Sequence, residues 1–243
     1  MLSPFLTVKG LLGSVGWLLS GICHQLPEHT IFLAGRQLPL CARCTGMYLA
    51  ALLGLVLQAH RERRAALLPP LWVLFFMAIA AAGWAIDGAN SYLQFVLGAP
   101  LLYAPSNAGR LATGALMGLS ISMIIHPMFN LTLWSEPQQR RAVADAKDLG
   151  LLVTCGALVC ALLMQHWDWL YYPALVSIII SVAAVLIVLN SMIALIVLRR
   201  ENQTQHPRQA LGPLLAGFLL SIGEIGGIAL VRQWAAGAFP WVP

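Results

Sequence analysis

Residues 171–198, YYPALVSIIISVAAVLIVLNSMIALIVL, contain no charged side chain, and Ile178, Ile179, Ile180 and the run from Ala183 to Leu189 are apolar at every successive position. A barrel strand would alternate with period two, because one face meets lipid and the other the lumen. A run that is apolar on all sides, and longer than the about 20 residues needed to cross a bilayer, can satisfy its backbone in hydrocarbon only as a helix. The fold class follows: an all-α polytopic membrane helix bundle.

Working outward, similar runs occur at about 8–24, 44–60, 70–87, 109–133, 149–166 and 210–232, which with 171–198 makes about seven transmembrane helices. Composition points the same way. Hydrophobic residues make up 59% of the 243 and charged residues 9%, with a mean hydropathy of +0.79; soluble domains carry about 25% charged residues. An ordinary soluble globular protein is excluded. Segment 91–106, with Tyr92, Tyr103, Pro100 and Pro105, reads as too broken to span, so it is expected along the outer interface or re-entering it. Loop 134–148 is the longest polar connection, a cytoplasmic connector between an N-terminal membrane region, 1–133, and C-terminal membrane helices, 149–243. The first run has the look of a signal peptide, but no small-x-small site follows it and Ile22 stands where a lipoprotein cysteine would need a small residue, so it is expected to remain as an anchor.

The 14 Lys and Arg residues divide unevenly across these spans. Lys9, Arg61, Arg63, Arg64, Arg140, Arg141, Lys147, Arg199, Arg200 and Arg208 fall on one side, and Arg36, Arg43, Arg110 and Arg232 on the other. The positive-inside rule then puts the N-terminus inside and the C-terminus outside in a cytoplasmic (inner) membrane. The net charge of +5 needs no nucleic acid to explain it. The expected partners are the lipid bilayer and other membrane subunits.

Three of the five cysteines fall close together: Cys23 and His24 close the first span, and Cys41 and Cys44 open the second as a CxxC pair. A short outer hairpin, with Gly35 and Pro39 suiting its tight return, would bring both ends together. Three thiols and an imidazole are the ligand set of a tetrahedral zinc site, with the metal candidates Cys23, His24, Cys41 and Cys44. His29 could serve in place of His24, since adjacent residues such as Cys23 and His24 do not easily point at one ion. The same atoms also admit a redox disulfide between Cys41 and Cys44, or a structural one from Cys23 to either. Thr45, not His, follows the CxxC, so c-type haem is not expected, and no nucleotide-binding motif appears. Cys155 and Cys160, inside the fifth span, read as small buried hydrophobes.

At these residues a resemblance enters. CHQLPEHT from Cys23 to Thr30, then Gly35, then PLCARCTGMY from Pro39 to Tyr48, is similar to the signature of an uncharacterised bacterial integral-membrane family, domain of unknown function 2085. Asp87, Gly88, Gln94, Gly98, Asn107, Arg110, Thr113 and Gly114 resemble that family's second block, and the likeness covers about residues 20–120. His29 departs from it, standing where an arginine is expected. The resemblance implies an outer site and lends no established activity.

A charged side chain inside a span costs about 2.5–3.5 kcal/mol on insertion scales and needs a partner or a task. Asp87, Asn107, Arg110 and Glu224 are therefore read as lining one polar cavity at the outer end, able to bind an anionic headgroup or handle protons, or else as close packing with a structural ion pair. Glu224 is expected to face the interior, because Gly217, Ser221, Glu224 and Gly227 make one small polar row, as Arg110, Gly114, Gly118 and Ser122 do on the fourth span. Two functions stay open. One is a transporter or membrane-complex component with a structural metal; the other is an outward-facing membrane enzyme using metal-assisted or thiol-disulfide chemistry on a lipid, quinone or periplasmic thiol.

Overall fold

In the computed structural model, which describes residues 8–238, seven helices follow the apolar runs: α1 Val8–Leu19, α2 Ala42–Arg61, α3 Leu71–Leu97, α4 Asn107–Leu133, α5 Ala146–Leu163, α6 Tyr171–Val197 and α7 Leu211–Ala238. The six from α2 to α7 are long and apolar enough to cross a membrane. The first differs. Its 12 described residues extend about 18 Å at 1.5 Å per residue, against a hydrocarbon core of about 30 Å.

Two expectations need correction. The chain is not purely helical: β1 (Thr30–Leu33) and β2 (Arg36–Cys41) form an antiparallel hairpin, and β3 (Ala65–Leu67) pairs in parallel with β4 (Gln138–Arg141). These strands are too short for a periodic signal. The hairpin turns at Ala34 and Gly35, both at positive φ (52° and 67°), as a two-residue hairpin connection requires. Gly35 thus makes the return, whereas Pro39 lies within β2. Likewise 91–106 is not all irregular. Helix α3 runs on to Leu97 and ends at Gly98, whose φ of 72° is a left-handed C-cap.

Helix α4 is the most deeply buried of the six, packed by α2, α3, α5 and α6. Its contact with α2 depends on absent side chains. A Cβ at Gly114 would run into the Arg43 carbonyl, and one at Gly118 into that of Met47. This close approach of backbones is the packing that small residues permit between helices in a membrane. The outer faces of α3 and α7 leave Leu71, Phe75, Ile79, Leu219 and Val231 exposed, which suits lipid and not water. The largest buried cluster joins Leu19, Leu40, Tyr48, Leu111, Ile178 and Ile225, so one core runs across both sides of the 134–148 connector.

The loops gather at two ends. At one, β3 pairs with β4, the Asn202 amide donates to the Thr132 carbonyl (2.9 Å) and Arg64 lies 4.3 Å over the Trp134 ring. At the other, Asn107 Nδ2 donates to the Thr30 carbonyl (3.1 Å) and Arg36 donates to the Tyr172 hydroxyl (2.7 Å). The second end carries the cysteines.

Candidate metal centre and its polar neighbour

The geometry of the cysteine site begins where α1 stops. Gln25 adopts φ 56°, a left-handed conformation that costs a residue with a Cβ about 1–2 kcal/mol, and hydrogen bonds hold it there. Its Nε2 donates to the carbonyls of Gly16 and Pro39, each at 2.9 Å, and its own carbonyl accepts from Gln37 Nε2 at 2.8 Å. The chain leaving α1 is thereby tied to β2, and Cys23 arrives beside Cys41. The Cys41 amide donates to Cys23 Sγ at 3.2 Å.

The thiols of Cys23 and Cys41 and a ring nitrogen of His24 lie within 4.8 Å of one another. Around a tetrahedral zinc ion with bonds of about 2.3 Å to sulfur, such atoms sit about 3.8 Å apart, so small side-chain rotations would close the set. Cys44, the third residue of α2, lies close enough to act on both thiols but falls outside that three-residue group. Adjacent Cys23 and His24 thus bring one ligand atom each into the same group. His29 stands behind: its Nδ1 is 3.0 Å from His24 Nε2, and the two rings meet edge to face.

The electrostatics suit a thiolate. Hydrogen bonds from Cys41 and Cys44 hold Cys23 well below the usual thiol range, and the same sharing pushes Cys41 up to about 11. Burial, with the Arg110 and His24 charges adding to it, pushes His29 down to about 4. Cys23 is 5% exposed and Cys41 2%. A thiol that reacts with outside partners must be both ionised and accessible; these are enclosed.

Beside the cysteines lies a polar network. Asp87 is 1% exposed and makes an ion pair with Arg43, whose Nε donates to Oδ2 at 2.9 Å. The Tyr103 hydroxyl donates to Asp87 Oδ1 at 2.8 Å, and that of Thr113 to Oδ2 at 3.4 Å. Arg43 Nη2 also donates to Ser91 Oγ (3.0 Å), which accepts from Arg110 Nε (3.4 Å); Arg110 Nη1 donates to Asn107 Oδ1 (2.9 Å). Asp87, Asn107 and Arg110 thus share one network. Glu224 does not join them. It is exposed on α7 and accepts from the buried Asn190 Nδ2 of α6 at 2.9 Å.

Two residues of the site were not singled out as such by sequence. Arg43 is the partner of Asp87, and a pairing requirement for a buried carboxylate would have left it and Arg110 as the nearby cations. Arg232, near the end of α7, donates to the carbonyls of Ser20 (2.9 Å), Cys23 (2.7 Å) and His24 (3.0 Å). Of the remaining cysteines, Cys155 and Cys160 are half-buried in α5. His126 lies at the opposite end, buried, with Nε2 beside Asn130.

Fold and site together define a multi-pass helical membrane protein with a Cys/His cluster at one end of its bundle. The model of the family described as "Predicted membrane protein (DUF2085)" matches residues 23–124, from the first cysteine of that cluster into α4. An uncharacterized protein of Methanocaldococcus jannaschii is 28% identical over 109 residues, covering 44% of this chain and 64% of the relative. An uncharacterized protein of Methanothermobacter thermautotrophicus is 53% identical over 30 residues, covering 12% of this chain and 27% of the relative. The chain thus spans less than two thirds of either relative, and both are archaeal, which leaves the bacterial assignment without support from them. No solved structure matches.

Proposed function

We propose that this chain is a transporter or a component of a membrane complex in which Cys23, His24, Cys41 and Cys44 hold one structural zinc ion at the outer face. The observation that carries the reading is the convergence of the Cys23 and Cys41 thiols and a His24 nitrogen within 4.8 Å; Cys44, three residues after Cys41, would complete the set by a side-chain rotation. The ion would fasten the end of α1 to the start of α2 and so brace the β1–β2 hairpin. The enclosure of Cys23 and Cys41 favours a closed structural site over thiol exchange, because structural zinc sites fill all four positions with protein ligands.

The outer placement rests on the basic residues. Arg61, Arg64, Arg140, Arg141 and Arg199 lie in or beside the loops of the end opposite the cysteines, and an excess of such residues marks the cytoplasmic side. The end of α7 that lies beside Cys23 is then outside as well.

The test is metal content. Protein purified in detergent without chelator is expected to carry one zinc per chain, with Cys23, Cys41 and Cys44 silent to a thiol reagent until a chelator is added. Absence of metal from protein so purified would overturn the reading, whether or not the enclosed thiols react.

A further inference from the structure

Arg43 and Arg110 both donate to the Ser91 hydroxyl, so two guanidiniums approach one neutral oxygen. The Asp87 carboxylate, the buried anion of the network, is engaged by Arg43, Tyr103 and Thr113. Arg110 is 5% exposed, and its hydrogen bonds go to two neutral groups, Ser91 and Asn107. Among the described residues, Arg110 Nη2 and Arg43 Nη1 have no hydrogen-bond partner. Neither nitrogen is sealed from solvent, and the Asp87 and Glu28 charges act on Arg110 without an ion pair among the described residues, so its free edge stays open to an anion.

Both cations border open space. Arg110 lines a cavity of about 330 Å³ with Glu28, Gln94 and Pro105, and Arg43 lines one of about 290 Å³ with His24, Leu26 and Tyr92. His29, Ser91 and Phe95 line both cavities, which makes them neighbouring parts of one groove. The other ionisable groups there are the exposed Glu28 at the mouth and the two imidazoles. We propose that this groove binds a phosphate group, held between the free edges of Arg110 and Arg43. A carboxylate would be satisfied by one guanidinium fork; a phosphate offers oxygens to both. The apolar wall of Leu26, Tyr92 and Phe95 suits a phosphate that carries an acyl chain, and free phosphate shares the same anionic chemistry. The proposal stands independently of the metal.

The experiment uses the full chain in two arms. In detergent, inorganic phosphate is titrated against chloride at equal ionic strength while Tm is followed. In nanodiscs of mixed phosphatidylglycerol and phosphatidylcholine, native mass spectrometry counts retained lipid. A saturable rise in Tm with phosphate identifies a free-anion site, and selective retention of phosphatidylglycerol identifies a headgroup site; either supports the proposal. Arg110→Gln is expected to weaken whichever binding is seen at least about tenfold. Gln94→Glu, which adds a carboxylate to the groove wall without removing a core side chain, should do the same and covers the case in which Arg110→Gln fails to fold. No effect of phosphate beyond that of chloride together with no lipid selectivity would overturn the proposal, as would binding unchanged in these variants.

Discussion

The Arg232 guanidinium, on the last helix, donates to the carbonyl of Cys23 at 2.7 Å, so the first candidate metal ligand is fastened by a residue 209 positions away in sequence. The same side chain also holds Ser20 and His24, carbonyls left unsatisfied where α1 ends. Arg232 acts as a positioning residue. Replacing it with Gln should loosen the 20–24 turn and reduce metal affinity about 10- to 100-fold, the range seen when groups that orient ligands are lost. Competition with a chromophoric chelator measures this. Arg232→Lys, which keeps the charge but not the fork, should recover only part of the affinity.

Removing the Asp87 carboxylate strands the Arg43 charge. Asp87→Asn is therefore expected to cost about 3 kcal/mol or more of stability, since breaking a buried pair leaves one ion uncompensated. Unfolding in mild detergent measures it. Combining the change with Arg43→Met should restore part of the loss, because the two residues act as a pair.

Gly114 tests the helix contact. Gly114→Leu places side-chain atoms where the Arg43 carbonyl now lies, so α2 and α4 must separate at the cost of about 1–3 kcal/mol or more. The displaced backbone carries Cys44, the next residue along. Metal retention should fall together with Tm, whereas Gly83→Leu, where a Cβ would meet open space, should leave both unchanged.

Reporter fusions test the sidedness. A fusion in 62–70 should report the cytoplasm and one in 98–106 the opposite side, because the loops that gather around β3 and β4 carry the excess of arginine. The same compartment for both would remove the basis for an outer site.

The helices were legible because hydrocarbon leaves a chain few choices: from 44 to 232 each long apolar run became a helix, with ends shifted mainly where a cap decided them. Gly98, not Asp87, stops α3, since Asp87 is paired and so need not mark a boundary. The β1–β2 hairpin was only partly legible. Its Gly35 turn could be anticipated, but the short strands carry no period. Within the site, the Cys/His spacing was readable because ligand chemistry is local, while the charge partners were not. Arg43 and Asp87 meet only because α2 and α3 both pack on α4, and the partner of Glu224, Asn190, is set by the α6–α7 contact that Gly217 makes against Ser191.

X-ray absorption at the zinc edge, on protein purified without added chelator, tests the central claim most directly. The account predicts a four-coordinate ion with three sulfur neighbours at about 2.3 Å and one nitrogen at about 2.0 Å, reduced in sulfur count by Cys44→Ser and in nitrogen count by His24→Ala. A protein free of metal, or a zinc shell of oxygen and nitrogen unaltered by Cys23→Ser and Cys41→Ser, would contradict it.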